Sequence, residues 1–215
     1  MRILDFGVSS PFADLVASLI EHRAATGYFD PGHTLDDAEI ARLADLATRA
    51  PSAFNLQNWR LHAVRTPSAK AALRAAAFGQ AKVEEAAVTF VVSGEIARAA
   101  DLPDRLHPAV VEGHMTVKTA RSWVEIAGAT YAVPEEARDE ALRSASLLAS
   151  TLMFAAEGHG LATAPMSGFD RAAVSELLRL PADIIPFFLV AVGRPRPGNH
   201  PQKPRRPVSD VLVLV

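Results

Sequence analysis

Three basic side chains, Lys203, Arg205 and Arg206, lie near the C-terminal end of the chain, interspersed with prolines. Because proline fixes φ, it holds alternate side chains on the same side of an extended chain. Lys203 and Arg205 could therefore clamp one phosphate group through charge-assisted hydrogen bonds. Arg23, at the end of the first predicted helix, is a third candidate cation. The alternative is a solvated arm without a ligand, and the residues alone leave both interpretations open.

A second polar segment connects a predicted helix to a predicted strand, and its sequence over residues 49–59 is RAPSAFNLQNW. Pro51 can end the helix. Ser52 is interpreted as a capping serine, because the GxSxG motif of a hydrolase nucleophile is absent around it. The amides of Asn55 and Gln57 and the ring of Trp59 add more functional groups than a turn requires. Read alone, the connection is a helix end with a capping serine, followed by a strand that begins near the tryptophan.

A third candidate segment covers residues 163–170, TAPMSGFD. Gly168 permits close approach of the backbone, and Asp170 is the expected N-cap of a helix over residues 171–178. Free backbone N–H groups before a helix could donate to a ligand, and an ordinary loop is the alternative. Gly158 and Gly160 follow a helix, whereas a dinucleotide-binding fingerprint follows a strand, so they are interpreted as a helix C-cap. No Rossmann module is therefore expected.

Composition argues against several classes of protein and site. The 215 residues include no cysteine, which excludes disulfides, thiolate catalysis and cysteine-based metal sites. The seven histidines form no HExxH motif, so no metal is expected. A net charge of −2 does not favour nucleic acid or an anionic membrane as a partner. The N-terminal sequence MRILDFGVSS lacks the apolar core of a signal peptide, and residues 144–156 are too short to cross a membrane, so a cytoplasmic protein is expected.

The chain is long enough to bury one core and contains no linker-like segment, so a single domain over residues 1–215 is predicted. Helices are predicted at 12–23, 34–50, 67–77, 108–127, 135–156 and 171–178, with Thr34 and Asp37 as the capping pair of the second. Strands are predicted at 60–65, 88–92, 187–192 and 211–215. The continuous apolar runs at 88–92 and 187–192 are typical of central strands covered on both faces. Because helices and strands do not alternate strictly, the pattern indicates an α+β fold.

Taken in order, four segments resemble motifs of the FMN-dependent nitroreductase family. Residues 23–30, RAATGYFD, are similar to its Arg-x-Ser-x-Arg/Lys-x-Phe motif. Residues 50–59, APSAFNLQNW, resemble its Pro-Ser-x-x-Asn-x-Gln-Pro-Trp motif. Residues 160–170, GLATAPMSGFD, resemble its Gly-Leu…Pro-hydrophobic-x-Gly-Phe-Asp segment, and residues 203–207, KPRRP, its Lys-x-Arg-x-Pro phosphate clamp.

The resemblance implies a three-layer nitroreductase-like fold, with helices on both sides of a central, mainly antiparallel sheet. It implies a homodimer with FMN at the interface, in which the C-terminal arm, residues 194–215, wraps the partner and its last strand is exchanged. NAD(P)H would reduce FMN in a ping-pong reaction, and a nitroaromatic, a quinone or a similar conjugated acceptor would reoxidise it. The alternatives are a flavin enzyme with a narrower reaction (enone reduction or dehydrogenation), a non-catalytic flavin-binding protein, and a helical interaction domain without a cofactor.

The resemblance also assigns cofactor contacts by position. These are Arg23, Ala24, Ala25, Pro51, Ser52, Ala53, Asn55, Gln80, Lys82, Pro165, Met166, Ser167, Gly168, Lys203 and Arg205. Arg23, Lys203 and Arg205 would hold the phosphate, and residues 51–55 would come from the opposite subunit. A backbone N–H near Ser167 or Gly168 would donate to flavin N5. Of the listed side chains, Lys82 would lie near the N1–C2 edge of the flavin. One further residue, Trp123, is the candidate aromatic over the ring, with a core position as the alternative.

The chain departs from the family motif at three positions. Ala25 replaces the motif serine and Gly27 replaces its second base. A lost charge-assisted hydrogen bond costs about 1.5–3 kcal/mol, so FMN binding is expected to be weaker than the full motif would give. Asn58 replaces the usual proline, and the sequence offers no interpretation of that change.

Overall fold

The computed structural model describes residues 12–215 of the chain. The expectation that the chain carries no signal peptide concerns its N-terminal ten residues, which lie outside the described part.

Four strands form one antiparallel sheet. They are β1 (Trp59–Val64), β2 (Val88–Glu95), β3 (Ala162–Met166) and β4 (Ile184–Gly193). The strand order β1-β2-β4-β3 places β2 and β4 in the centre, and every residue of β2 is buried. The two apolar runs are therefore central strands as predicted, because a strand covered on both faces has no side that favours polar residues.

Helices cover both faces of this sheet. The helices within residues 12–215 are α1 (Ala13–His22), α2 (Asp37–Ala47), α3 (Pro67–Ala76), α4 (Lys82–Glu85), α5 (Leu102–Val111), α6 (Val117–Tyr131), α7 (Pro134–Gly158) and α8 (Arg171–Leu178), and α2, α3, α7 and α8 pack on the sheet. Along β2, Phe90 and Val92 pack with α2 and α7, whereas Val91 packs with α3 and α8. This alternation follows from the period of two in a strand. The predicted α+β fold with three layers is confirmed.

A third apolar cluster lies under α5 and α6, which form a helical hairpin. Leu102 and Leu106 of α5, Ala127 of α6 and Leu56 are all buried there. We call helices α5 and α6, residues 102–131, the α5–α6 hairpin. It packs on the segment that precedes β1, which contains predicted cofactor contacts.

The prediction of one helix over residues 108–127 is wrong. Helix α5 ends at Val111, and Gly113 has a φ of 76°, a conformation that glycine adopts at little cost. The next helix begins after Thr116, whose hydroxyl accepts a hydrogen bond from the N–H of Thr119 at 3.0 Å. The glycine that stops one helix and the threonine that caps the next thus lie three residues apart within one apolar periodicity.

The predicted capping pair of the second helix is also wrong, by two residues. The carboxylate of Asp36 accepts from the N–H of Glu39 at 2.8 Å, and the carboxylate of Glu39 accepts from the N–H of Asp36 at 2.8 Å. The glutamate side chain is long enough to reach back to the cap, so this pair closes the reciprocal capping box.

The strand predictions differ from the structure at two places. Residues 162–166 form β3, which sequence reasoning treated as part of a loop; Pro165 fits there because β3 is an edge strand, where a missing N–H is tolerated. Residues 211–215 form no strand within residues 12–215, and Val213 and Leu214 are 80% and 87% exposed. Exchange of this segment with a partner subunit stays a prediction.

Candidate functional site

A cavity of about 570 Å³ lies between the end of α1, the start of α4 and the C-terminal arm. We call it the main cavity. Six of the predicted cofactor contacts line it: Arg23, Ala25, Gln80, Lys82, Lys203 and Arg205. The fold thus brings together residues from the beginning, the middle and the end of the chain at one place.

Four of these lining residues are basic, namely Arg23, Lys82, Lys203 and Arg205. Among residues 12–215, none of the four forms an ion pair with a carboxylate. The carboxylate of Glu85 also lines the cavity, but it is paired with Arg196, outside the lining, at 3.3 Å. The net charge of the lining is therefore strongly positive, which favours an anionic ligand.

One donor in this set is buried without a partner. Nη1 of Arg23 has no hydrogen-bond acceptor among the described residues. A buried cationic donor left unpaired is costly, and an anion in the cavity would remove that cost. The donors of Arg23, Lys203 and Arg205 together fit a phosphate group, which accepts several charge-assisted hydrogen bonds.

The lining also contains Lys82 and Gln80. Lys82 is half-buried at the start of α4, and burial lowers the pKa of its ammonium below the ordinary value because desolvation penalises the charged form. Nε2 of Gln80 donates to the carbonyl of Gly168 at 2.9 Å. This bond ties the exposed turn after β3, Ser167 and Gly168, to the edge of the main cavity. Pro165 and Met166 lie within β3 itself.

Two amide side chains that sequence reasoning missed connect the basic tail to the end of α1. Oδ1 of Asn199 accepts from the N–H of Gly27 at 2.7 Å and of Tyr28 at 3.0 Å, and its Nδ2 donates to the carbonyl of Tyr28 at 2.8 Å. Nε2 of Gln202 donates to the carbonyl of Arg23 at 2.9 Å. The only available signal was their position beside the predicted clamp, since an irregular tail has no periodicity.

Available space does not explain the departure from the motif at residue 27. A Cβ there would lie 3.6 Å from Oδ1 of Asn199, which is an ordinary contact. Ala25 lines the main cavity, and its methyl side chain cannot donate a hydrogen bond to a ligand. The weaker FMN binding expected from these two positions stays a prediction.

The predicted contacts at Pro51, Ser52, Ala53 and Asn55 lie on a separate loop and do not line the main cavity. We call residues 51–57 the strained loop. Three of its residues, at 54, 55 and 57, have φ of 53°, 54° and 48°, a region that residues other than glycine rarely occupy. Such strain persists where surrounding contacts impose it and concentrates at functional sites.

Hydrogen bonds within and beside the strained loop hold this conformation. Oγ of Ser52 accepts from the N–H of Gln57 at 2.9 Å, and Nε2 of Gln57 donates to Oδ1 of Asn55 at 3.2 Å. Asn58 is buried, and its Nδ2 donates to the carbonyl of Glu95 at 2.7 Å. The amide that replaces the usual proline thus joins the loop to the end of β2, a role that proline cannot perform.

The remaining predicted residues lie outside the main cavity. Ala24 is half-buried beside Arg23 and does not line the cavity. Trp123 is half-buried in the α5–α6 hairpin, with its ring centroid 5.8 Å from that of Phe54. Its contact with a substrate stays a prediction.

The described part of the chain shows neither a metal-binding cluster nor a membrane-spanning helix. Over residues 12–215, no group of three or more His, Asp or Glu side chains is arranged to hold a metal ion. Within the same range, none of the helices combines the length and the apolar character needed to span a membrane.

Comparisons with known proteins identify the family of this chain. The family model described as "Nitroreductase family" matches residues 20–194. An NADH dehydrogenase of Thermus thermophilus is 35% identical over 206 residues, covering 94% of this chain and 97% of that protein. A CLA biosynthesis enone reductase of Lactiplantibacillus plantarum is 26% identical over 184 residues, covering 83% of this chain and 85% of that protein.

The fold has close relatives among solved structures. A nitroreductase structure from Exiguobacterium sibiricum, in complex with FMN, superposes with a TM-score of 0.85 at 24% identity, covering 93% of this chain and 96% of that chain. The family model covers most of the chain, and the Thermus relative extends over nearly all of it. This chain therefore belongs to the nitroreductase family, a family of oxidoreductases.

Proposed function

We propose that this chain is a cytoplasmic, FMN-dependent oxidoreductase that takes hydride from NAD(P)H in a ping-pong reaction and reduces nitroaromatics, quinones or a similar conjugated acceptor. The observation that carries the proposal is the main cavity, where four basic side chains without carboxylate partners among the described residues line one space. The FMN complex of the Exiguobacterium relative supports the choice of cofactor.

The phosphate of FMN would be held by Arg23, Lys203 and Arg205. The buried Nη1 of Arg23 would gain an acceptor that residues 12–215 do not provide. Lys203 and Arg205 would add charge-assisted hydrogen bonds from the tail, which Asn199 and Gln202 fasten beside α1.

When bound, FMN supplies the hydride chemistry. Lys82 would hold a positive charge beside the N1–C2 edge, where negative charge develops on reduction. A backbone N–H of Ser167 or Gly168 would donate at N5 and orient the ring. No side chain of the chain need act as a general acid or base, because solvent can supply protons to the acceptor.

The second part of the site would come from a partner subunit, whose residues 51–55 would line the flavin. In support, α1 has no buried residue, and Leu15, Val16 and Ile20 are 59%, 50% and 51% exposed. The apolar residues of the segment 211–215 are exposed as well. Apolar surface of this extent fits a subunit interface. The C-terminal arm of this single domain would wrap the partner and exchange its last strand.

A narrower reaction of the same cofactor, enone reduction, is the second candidate function. The similarity to an enone reductase over 83% of the chain favours it. Both candidates use the same cavity and the same reductant, so they differ only in the acceptor.

The colour of the purified protein tests the proposal. We expect a flavin absorbance band, FMN released on denaturation, a mass in solution of about twice 22.9 kDa, and bleaching of the band by NADH or NADPH without oxygen. Colourless protein that takes up no added FMN would contradict the proposal, and bound FMN that neither nucleotide bleaches would indicate a flavin-binding protein without turnover. Anaerobic reoxidation by a nitroaromatic, a quinone or an enone then identifies the acceptor.

Replacing Lys82 with methionine should slow reduction by NAD(P)H at least about tenfold, because a fixed cation beside developing negative charge is removed. Because burial lowers the pKa of Lys82, the wild-type rate should begin to fall at a lower pH than an ordinary lysine would give, and the fall should be absent in Lys82→Met. Stopped-flow reduction between pH 6 and 10, read at the flavin band, measures both effects.

Lys70→Met is the matched control for this prediction. Lys70 is also desolvated, with its pKa lowered by burial, but it donates to the carbonyl of Ala86 at 2.6 Å and does not line the main cavity. Its reduction rate should stay within about twofold of wild type. Equal slowing in both variants would refute a specific role for Lys82.

A further inference from the structure

The α5–α6 hairpin holds the strained loop on both sides of Asn55. We propose that Trp123 is a positioning residue: through the ring of Phe54, it fixes the loop in the conformation that presents Asn55 to the FMN of the partner subunit. The inference rests on the proposed function, because it takes FMN to lie against residues 51–55.

The ring of Phe54 is held between two aromatic rings of α6. Its centroid lies 5.8 Å from that of Trp123, with an interplanar angle of 69°, and 6.2 Å from that of Tyr131, with an angle of 85°. Both are edge-to-face arrangements, which aromatic pairs favour. Burial raises the pKa of Tyr131 to about 12, with Glu140 adding to the effect, so the ring stays uncharged in this cluster.

The backbone at Phe54 needs such an anchor. Phe54 and Asn55 have φ of 53° and 54°, and neither is a glycine. Asparagine tolerates this left-handed conformation, but it is unfavourable for phenylalanine and persists there only when other contacts impose it. Release of the Phe54 ring would let the backbone return to an ordinary conformation and would turn the exposed amide of Asn55 away from its present direction.

The other side of Asn55 is held by α5. The guanidinium of Arg105 donates to the carbonyl of Leu56 and lies 3.6 Å from the carboxylate of Glu95, while the side chain of Leu56 is fully buried. Residues 54 and 56 are therefore both fixed by the α5–α6 hairpin. Residue 55 between them has little freedom to move unless the hairpin moves.

Coupling of this kind would cross the subunit interface. The hairpin and the strained loop belong to one subunit, whereas the flavin they serve is held by the main cavity of the other. Trp123 would then influence FMN binding without touching FMN. A direct role of Trp123 over the ring predicts something else: a change in the acceptor KM with unchanged FMN affinity.

A double-mutant cycle on the homodimer tests the inference. The variants are Phe54→Ala, Trp123→Ala and the double variant, with Trp123→Phe as the conservative replacement. Ile126→Ala is the matched control, because Ile126 lies on the same helix with 51% of its surface exposed. FMN dissociation constants come from quenching of FMN fluorescence, acceptor KM from steady-state kinetics, and urea unfolding of the FMN-free proteins reports the stability of each.

We expect each alanine variant to weaken FMN binding about tenfold, the double variant to be no worse than either, and Trp123→Phe to restore most of the affinity. Ile126→Ala should match wild type. Additive losses, or FMN affinity unchanged in Trp123→Ala, would overturn the inference. If Trp123→Ala does not fold, the FMN dissociation constants of Trp123→Phe, Phe54→Leu and their double variant are compared in the same cycle. Wild-type protein that binds no FMN would refute the proposed function. If the wild-type protein binds FMN and the variants bind it equally well, only the positioning role is refuted.

Discussion

Replacing Lys203 and Arg205 together with alanine should weaken FMN binding by about a hundredfold or more. Both side chains line the main cavity and form no ion pair within residues 12–215, so their charges are available to a phosphate. A hydrogen bond to a charged group contributes about 1.5–3 kcal/mol, and two such losses correspond to two or more factors of ten. Fluorescence titration of FMN at one fixed ionic strength measures the change, since salt screens exposed charges.

Arg206→Ala separates a specific clamp from the general charge of the tail. Arg206 is the neighbour of Arg205, but its Nη2 donates to the carbonyl of Asp210 at 3.0 Å and it does not line the main cavity. Its loss should change FMN affinity by about twofold at most. Unchanged FMN affinity in the double variant would refute the assignment of Lys203 and Arg205 to the phosphate. Equal losses of affinity in the double variant and in Arg206→Ala would indicate a non-specific effect of the charge of the tail.

The central sheet and the two tail residues of the cationic lining could be predicted because each depends on a signal within a few neighbouring residues. The apolar runs at 88–92 and 187–192 have no polar face, and only a doubly covered strand accommodates them. The tail places Lys203 and Arg205 two residues apart between prolines, and this local pattern does not depend on contacts with distant parts of the chain.

The remaining parts of the site depend on contacts between distant segments. Asn199 and Gln202 bond to backbone groups more than 170 positions away, and such partners leave no trace in a local pattern. Phe54 has a left-handed φ because α6 supplies two aromatic neighbours, against its own backbone preference. Strand β3 is short and contains Pro165, which obscured its pairing with β4.

Replacing Gly94 with alanine should lower the free energy of unfolding by about 3 kcal/mol, because overpacking against atoms that cannot move aside is costly. Gly94 lies in β2, directly against the backbone of Ala141 in α7. A Cβ there would overlap the carbonyl oxygen of Ala141, and would lie 2.7 Å from the carbonyl carbon of Ala141 and 2.9 Å from Cε2 of Phe187. Urea unfolding of FMN-free protein measures the loss.

Gly158→Ala is the control, and it should change stability in the opposite direction. Gly158 is the last residue of α7, and a Cβ there would meet no atom within 4 Å. Alanine restricts the unfolded chain, so the variant should gain about 0.4–1 kcal/mol. If Gly94→Ala unfolds like wild type, α7 does not approach β2 as closely as the structure has it. The two glycines thus test the central helix–sheet contact independently of the cofactor, because neither residue lines the main cavity.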